Sequence, residues 1–169
     1  KRIQHSNMNI WKRIRQLSLV QLSKFSWLFL KHPLLIFPTI KATKETFAIC
    51  NERYGSTHHK SNKANAFRHA LWNALICKKV YNLRKNKQKS VFWTQKVTDL
   101  YEKVTRNEQM DEAMDLHNNG VGRICFLNFL KENEAEMVNF IQNKAENAKK
   151  VENLAEIQKS ENQLVYLHD

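Results

Sequence analysis

The sequence predicts an all-α protein: a single compact helical domain, 1–169, with a basic amphipathic N-terminal segment. Only 3 Gly and 2 Pro occur in 169 residues, so the chain has few of the backbone positions that hairpins, barrels and glycine-rich phosphate loops require. Its apolar residues recur at helical spacing, with no long alternating strand and no internal repeat. A chain of this length with 42 % hydrophobic residues can build the core of one ordinary domain.

The first segment, 1–40, is basic and apolar together. Large apolar side chains such as Trp11, Phe25 and Trp27 are interrupted by Lys and Arg, so no run reaches the roughly 18 apolar residues that a membrane-spanning helix needs. Lys24 lies inside the apolar stretch and no small-residue cleavage site follows, which does not match a signal peptide. Two interpretations stay open: a helix at a membrane interface, or a core-packing helix with snorkelling lysines.

Two prolines, Pro33 and Pro38, interrupt the helical pattern and predict a bend over 31–38. Helical spacing resumes over 39–54, and Gly55 is typical of the position just beyond a helix end. The next helix begins near an Asn cap, Asn62 or Asn65, and runs to about Leu83. A charged connector is predicted over 84–89, followed by helices over 90–106 and 111–130. An amphipathic stretch of one or two helices covers 131–160, and a short extended tail covers 163–169.

Charge is divided unevenly along the chain. Residues 1–90 hold 19 basic and 2 acidic side chains, a net charge of +17, while 91–169 hold 9 basic and 14 acidic side chains, a net charge of −5, in agreement with the total of +12. The basic half predicts an anionic partner, either a membrane surface or a phosphate-bearing substrate. Nucleic acid fits less well, because the basic residues of 10–40 are interleaved with large apolar ones and no nucleic-acid motif occurs.

Three cysteines, Cys50, Cys77 and Cys125, are widely spaced. This pattern indicates buried thiols rather than a disulfide framework or a zinc cluster, and it suits a reducing compartment. We therefore expect a protein of the producing cell's cytoplasm, or one exported without a cleavable signal peptide, with peripheral membrane association.

Two segments are more polar than core-packing helices require. In NAFRHALWN (65–73) and MDLHNNGVGR (114–123), polar side chains share a helix face beside apolar ones. Such side chains need buried partners or line a cleft. The residues on these strips are Asn65, Arg68, His69, Trp72 and Asn73 in the first segment, and Asp115, Asn118, Asn119, Gly122 and the edge residue Arg123 in the second, with His117 pointing elsewhere.

The two segments predict a catalytic His69–Asp115 pair, in which the carboxylate orients the imidazole and raises its basicity. Arg68 or Arg123 would stabilise an oxyanion or hold a phosphate, because a guanidinium presents a rigid fork of donors. Glu102 is the candidate second acid. The predicted substrate-binding residues are Arg123, Asn118, Asn119, Asn65, Trp72 and His117.

Metal binding is left open by the sequence, with a divalent cation as the candidate cofactor. Asp99 and Glu102 are three residues apart and share a helix face, so their carboxylates are candidate ligands for a hard cation. His59, in the polar loop, is a third candidate ligand. The alternative for the whole polar cluster is a buried structural brace.

The three motifs N-A-F-R-H-A-L-W-N, T-D-L-Y-E and M-D-L-H-N-N-G-V-G-R resemble those of a little-characterised bacterial family of helical domains. That family carries N/D-A-x-R-H-x-x-W, T-D-x-H-E and M-D-L-x-N-N-x-x-G-R in this order, and the resemblance covers about 58–123. Its members look like stand-alone proteins or C-terminal modules of secreted toxins, which implies a toxin-like or effector role with an immunity or carrier protein as partner. Tyr101 stands where the family has His, which argues against a mechanism that needs a second histidine there.

A weaker similarity is to bacterial phospholipases A2, whose Arg-His-Asp helix supplies a catalytic His; here Ala70 stands in place of that Asp. The sequence thus predicts a hydrolase with a His–carboxylate centre that acts on a phospholipid or another phosphate ester at a membrane surface. One alternative is a nuclease that uses the same cluster. The other is a non-enzymatic, membrane-binding or pore-forming helical protein.

Overall fold

The computed structural model describes residues 18–105 and 108–169 and confirms the all-α prediction, since it is 78 % helical. Its α-helices are α1 (Leu19–Lys31), α2 (Ile36–Tyr54), α3 (Lys63–Arg84), α4 (Lys87–Thr105), α5 (Gln109–Asn128), α6 (Glu134–Glu146) and α7 (Leu154–Lys159). Two 3₁₀ turns and two short strands complete the described part: Pro33–Leu35, Thr57–His59, β1 (Lys149–Lys150) and β2 (Val165–Tyr166). The beginning of the predicted basic segment, 1–17, and the predicted helix end at residue 106 lie outside these residues.

Helix α3 is the centre of the fold and is buried on every side over residues 64–78. It packs against α2, α4, α5 and α6. Asn62 caps its first turn, since the Asn62 side chain accepts a hydrogen bond from the Asn65 N–H at 3.1 Å. Because the whole circumference is covered, the polar strip of 65–73 faces protein rather than solvent and has to be satisfied inside the molecule.

Helices α3 and α5 approach each other most closely at Gly122. A Cβ atom at this position would lie 2.2 Å from the carbonyl oxygen of Ala70, far inside van der Waals contact. A residue without a side chain is therefore required there, and its absence of Cβ lets the two backbones touch. This contact brings the polar segments 65–73 and 114–123 together.

The chain between α1 and α2 turns more tightly than the sequence predicts. Pro33 begins a 3₁₀ turn, and α2 already begins at Ile36, so the prediction that Pro38 belongs to the bend was wrong. Pro38 lies in the first turn of the helix, where its missing N–H has no intrahelical partner to lose. Among the described residues, no helix has the length and apolar character to cross a membrane.

The predicted charged connector 84–89 is also shorter in the structure. Arg84 ends α3 and Lys87 begins α4, which leaves two linking residues. Lys85 takes a left-handed conformation, with φ of 52°, and its N–H caps the end of α3. Such a tight reversal places α3 and α4 side by side.

Two tryptophans attach α2 to the helices beside it. The indole N–H of Trp72 on α3 donates to the Thr43 hydroxyl at 2.9 Å, and that of Trp93 on α4 donates to the Thr39 hydroxyl at 3.0 Å. All four side chains are buried. These bonds satisfy polar groups inside the core and fix α2 along the two helices.

The C-terminal part forms a small second layer over α5. Strands β1 and β2 are parallel, with Lys149 opposite Val165, which agrees with the predicted extended tail. The Asn118 side chain accepts from the Val165 N–H at 3.0 Å and donates to the Val165 carbonyl at 2.9 Å. The Asn118 side chain thus makes the two backbone hydrogen bonds with Val165 that a neighbouring strand would otherwise make.

Candidate active site

A polar cavity of about 190 Å³ lies where α3, α4, α5 and the loop after α2 meet. Every side chain that lines it is polar or charged. The lining residues are His59, Ser61, Asn65, Arg68, His69, Tyr101, Glu102, Asp111 and Asp115. With no aliphatic wall, the cavity suits a small polar or ionic group and does not suit an acyl chain.

Three titratable side chains converge here from three different helices. His69 comes from α3, Glu102 from α4 and Asp115 from α5, and their exposed fractions are 1 %, 1 % and 4 %. One nitrogen of the imidazole and one oxygen of each carboxylate lie within 4.8 Å of one another. The predicted catalytic residues therefore meet in one cluster, which the sequence separation of 46 residues between His69 and Asp115 did not by itself guarantee.

Hydrogen bonds determine the tautomer of His69. Arg68 Nη2 lies 2.7 Å from His69 Nε2, and because a guanidinium is only a donor, Nε2 has to be the accepting, unprotonated nitrogen. Nδ1 therefore carries the proton and donates it to Asn119 Oδ1 at 3.1 Å. In this arrangement the Nδ1 proton faces Asn119, and the Nε2 lone pair faces Arg68 and Asp115, both of which line the cavity.

The two carboxylates lie at opposite edges of this ring. Glu102 Oε1 is 3.4 Å from Nδ1, whereas Asp115 Oδ1 is 3.2 Å from Nε2. Asn119 Nδ2 also donates to Glu102 Oε1 at 3.1 Å. The predicted contact between His69 and Asp115 is therefore present, at the Nε2 edge, while Glu102 and Asn119 lie at the Nδ1 edge.

A chain of buried amides and a hydroxyl extends the support for the ring. Asn73 Nδ2 donates to Asn119 Oδ1 at 2.6 Å, and Asn73 Oδ1 accepts from the Thr98 hydroxyl at 3.1 Å. Arg123 Nη1 donates to the same Asn73 oxygen at 2.9 Å. These bonds hold the Asn119 side chain in place and, through it, the imidazole.

Burial raises the pKa of Asp115 to about 6. The charges of His69 and Arg68 oppose this shift and favour the ionised form, whereas those of Glu102 and Asp111 favour the protonated form. A carboxyl whose pKa approaches neutrality in a cleft is typical of a functional site, because a folded protein gains no stability from a desolvated charge.

Arg68 is the predicted anion-binding residue that reaches the cavity. Its Nε donates to the His58 carbonyl at 3.0 Å, which holds the guanidinium over the cluster. Arg123, the other candidate, is directed to Asn73 and does not line the cavity. A phosphate in the cavity would therefore meet one guanidinium beside the carboxyl groups of Glu102, Asp111 and Asp115.

Several predicted binding residues lie elsewhere. Asn118 is committed to the backbone of β2, and His117 Nε2 lies 2.7 Å from the Gln163 carbonyl. Trp72 is bound to Thr43, with its ring edge against Tyr101 at 5.2 Å between centroids. None of the three lines the cavity.

Of the candidate metal ligands, Glu102 and His59 line the cavity and Asp99 does not. Asp99 is half-buried, and its charge acts on Arg123 instead. An imidazole and two carboxylates at this spacing are donors that divalent cations accept. One ligand atom from each of His69, Glu102 and Asp115 lies within 4.8 Å of the other two, so the three could hold a single ion between them.

The structure also brings together residues that the sequence prediction did not include. Ser61 donates a hydrogen bond from its hydroxyl to Asp111 Oδ1, and both line the cavity with Tyr101. Asp111 precedes Asp115 by one helical turn, so helical spacing on α5 was the available signal. Asn65 Oδ1 is buried at the wall and has no hydrogen-bond partner, which makes it an acceptor for a bound donor.

Comparisons with known proteins identify the family. A model of the family described as "Domain of unknown function (DUF6973)" matches residues 26–149, which include all three polar motifs. No curated protein and no solved structure matches the chain. Since the match covers well over half of the sequence, the chain belongs to the DUF6973 family.

Proposed function

We propose that this protein is a hydrolase of phosphate esters whose reacting centre is His69. The observation that carries the proposal is the imidazole lone pair, which is directed by Asn119 and Arg68 into a cavity lined only by polar groups. A buried structural brace needs neither an open cavity nor a basic nitrogen facing it. A general base needs both.

The proposed reaction transfers a phosphoryl group to water. The water oxygen forms a bond to phosphorus while His69 Nε2 takes one water proton, and the bond from phosphorus to the leaving oxygen breaks. His69 then returns the proton to the leaving oxygen, so the enzyme ends in its starting state. Glu102, 3.4 Å from Nδ1, stabilises the imidazolium that forms between the two steps.

Asp115 and Arg68 have separate parts in this scheme. Asp115 Oδ1, 3.2 Å from Nε2, accepts the second hydrogen of the attacking water and so orients it. Arg68 now donates to Nε2; an incoming phosphate is a stronger, charged acceptor. The guanidinium turns to the phosphate and releases the lone pair at the moment when substrate binds.

The polar lining supports a phosphate ester over a carboxylic ester of a lipid. An acyl ester would bring its aliphatic chain to the reacting atoms, whereas a phosphodiester presents two charged or polar oxygens. The substrate class is thus a phospholipid headgroup or another phosphodiester. This choice also agrees with the positive charge of residues 1–90.

The test compares wild type and His69→Ala on bis-para-nitrophenyl phosphate and on phosphatidylglycerol vesicles. We expect the variant to lose at least about 100-fold in rate, the usual contribution of a general base, with an unchanged far-ultraviolet circular dichroism spectrum. His117→Ala is the control, since that side chain binds the Gln163 carbonyl outside the cavity. Full activity of His69→Ala contradicts the proposal.

Further arms separate the alternatives. Cleavage of plasmid DNA without release of phosphate from lipid would identify a nuclease, and assays with and without EDTA would show whether a cation takes part. Vesicle permeabilisation that persists in a folded His69→Ala variant, without hydrolysis of any substrate, would identify a non-enzymatic membrane protein. A toxin-like role remains a prediction, which growth of cells expressing wild type or His69→Ala would test.

A further inference from the structure

Five large apolar side chains are exposed along 27–40, a short stretch of the described chain. Their exposed fractions are 63 % for Trp27, 75 % for Leu30, 64 % for Leu34, 75 % for Phe37 and 42 % for Ile40. We call these five residues the exposed stripe. They follow one another at intervals of three or four residues, with Trp27 and Leu30 on α1, Leu34 in the 3₁₀ turn and Phe37 and Ile40 on α2.

The elements that carry the exposed stripe differ in packing. The Phe29 ring of α1 lies 6.1 Å from the Trp93 ring, and the His32 ring, just beyond α1, lies 5.2 Å from it. Leu35, within the 3₁₀ turn, is buried in the core. The part of the stripe on α2 therefore belongs to a helix with a buried side, whereas α1 contacts the fold through partly buried side chains.

Positive charge surrounds the exposed stripe. Exposed lysines lie in the same two helices, and residues 18–44 contain no Asp or Glu. The Lys31 ammonium lies 4.5 Å from the centre of the Trp27 ring. The exposed lysines of α1 and α2 are Lys24, Lys31, Lys41 and Lys44. Residues 1–17 add five basic side chains and again no acidic one.

The combination of exposed apolar side chains and positive charge indicates which partner binds the exposed stripe. A second copy of the stripe, or residues 1–17, would bring further positive charge against the lysines, which is unfavourable. An anionic bilayer offers negative charge at its surface and apolar chains beneath, the two environments that interleaved lysine and aromatic side chains need. Large apolar residues exposed together mark an interaction site rather than ordinary surface.

We propose that the exposed stripe docks this protein on an anionic lipid bilayer, with Trp27, Leu30, Leu34 and Phe37 inserted at the headgroup level and the lysines on the phosphates. Helix α2 links this face to the cavity, because its Phe47 ring contacts the ring of the cavity residue His59 at 6.2 Å. The docking deepens the proposed function by naming a bilayer as the place of action. The docking proposal depends on the proposed hydrolase function only where it takes the lipid of the bilayer to be the substrate.

The experiment measures sedimentation of the full chain with vesicles of phosphatidylcholine alone or with phosphatidylglycerol added. We expect binding to the anionic vesicles only, and at least about tenfold weaker binding for Trp27→Ser with Leu30→Ser, because each loses buried apolar area. The matched control is Leu83→Ser with Leu154→Ser. Those leucines are exposed apolar residues outside the stripe.

Equal vesicle binding by the stripe variant and the wild type overturns the proposal. The proposal is also overturned if the wild type binds neutral vesicles as strongly as anionic ones, or if it binds neither. Dimerisation of the wild type that the stripe variant loses would assign the face to a second copy, and also overturns it. The soluble phosphodiester separates the two proposals. Vesicle binding without hydrolysis of any substrate leaves docking intact and removes the proposed function, whereas hydrolysis of the soluble diester without vesicle binding does the reverse.

Discussion

Arg68 and His69, adjacent in the chain, are joined by a hydrogen bond of 2.7 Å from Nη2 to Nε2. Neighbouring helix positions point about 100° apart, so this bond requires both side chains to turn into the same cavity. Its consequence is an Nε2 that accepts from Arg68, which places the ring proton on Nδ1, towards Asn119. The residues at each edge of the ring then have different roles that substitutions can separate.

Replacement of Glu102 by Gln keeps the shape of the side chain and removes its charge. We expect kcat on the soluble diester to fall by about 10²–10⁴-fold, since the imidazolium that forms loses its counter-charge, while KM changes little. Asp99→Asn is the control, because this carboxylate lies on the same helix outside the cavity. A Glu102→Gln enzyme with wild-type kcat would show that Glu102 is not part of the centre.

Replacement of Asn119 by Leu tests the orientation of the ring directly. Wild type should show the Nδ1-protonated tautomer of His69 in ¹⁵N spectra, because Asn119 Oδ1 accepts that proton. The variant should show a mixture of tautomers, with kcat reduced and KM little changed. An unchanged tautomer in the folded variant would mean that other contacts orient the ring.

Gly122 and Gly120 provide a matched test of the contact between α3 and α5. Gly122→Ala should lower the free energy of unfolding by about 3 kcal/mol or more, because the new Cβ would lie 2.2 Å from the Ala70 backbone oxygen. Gly120→Ala meets only the end of the Arg123 side chain, at 3.7 Å, and should be neutral or stabilise the helix by up to about 1 kcal/mol. Similar denaturation midpoints for the two variants would contradict this account.

The three cysteines should be unreactive in the folded protein. Burial raises the pKa of Cys50 to about 12, that of Cys77 to about 12 and that of Cys125 to about 11, so the reactive thiolate is scarce at pH 8. Mass spectrometry after iodoacetamide treatment should find no alkylation before unfolding and three labelled sites in guanidinium. Rapid labelling of the native protein would show that these helices open more readily than the packing indicates.

Asp115 should make stability fall as pH rises. Its pKa is about 6 in the folded protein against an ordinary value of 3.8, so the folded state binds the proton more tightly. The cost of ionisation therefore develops between about pH 4 and pH 6 and is complete above pH 6, at about 3 kcal/mol. Asp115→Asn should be more stable than wild type at pH 7.5, and the difference should vanish near pH 4. Denaturation midpoints across this range, with Asp99→Asn as the control, check the sign.

Much of the fold follows from local sequence signals. The Asn62 cap, the Gly55 stop and the helical spacing of apolar residues act within a few residues, so they predicted where α2 and α3 lie. Pro38 misled the prediction, because a proline is tolerated in the first turn of a helix and only its position distinguishes this from a break. The close contact at Gly122 has its partner 52 residues away; the glycine is itself a local signal that another backbone can come close, but it does not show which one.

The candidate site was predicted in its composition and only partly in its connections. Asn118 and Asn119 are adjacent and chemically identical, yet one clamps Val165 and the other orients His69. Which of them faces the site depends on the rotation of α5 against α3, and tertiary packing sets that rotation. For the same reason the sequence predicted that Asp115 contacts His69 but not which edge of the imidazole it meets.

Whether the polar cluster of His69, Glu102 and Asp115 serves catalysis or braces the fold is decided by Asp115→Asn, with the denaturation midpoint at pH 7.5 and the hydrolysis rate measured on the same preparation. We expect a midpoint above that of wild type together with a large loss of hydrolysis of the soluble diester, because the desolvated carboxylate lowers stability and orients the attacking water. A lowered midpoint with hydrolysis unaffected would contradict this expectation and identify Asp115 as a structural residue.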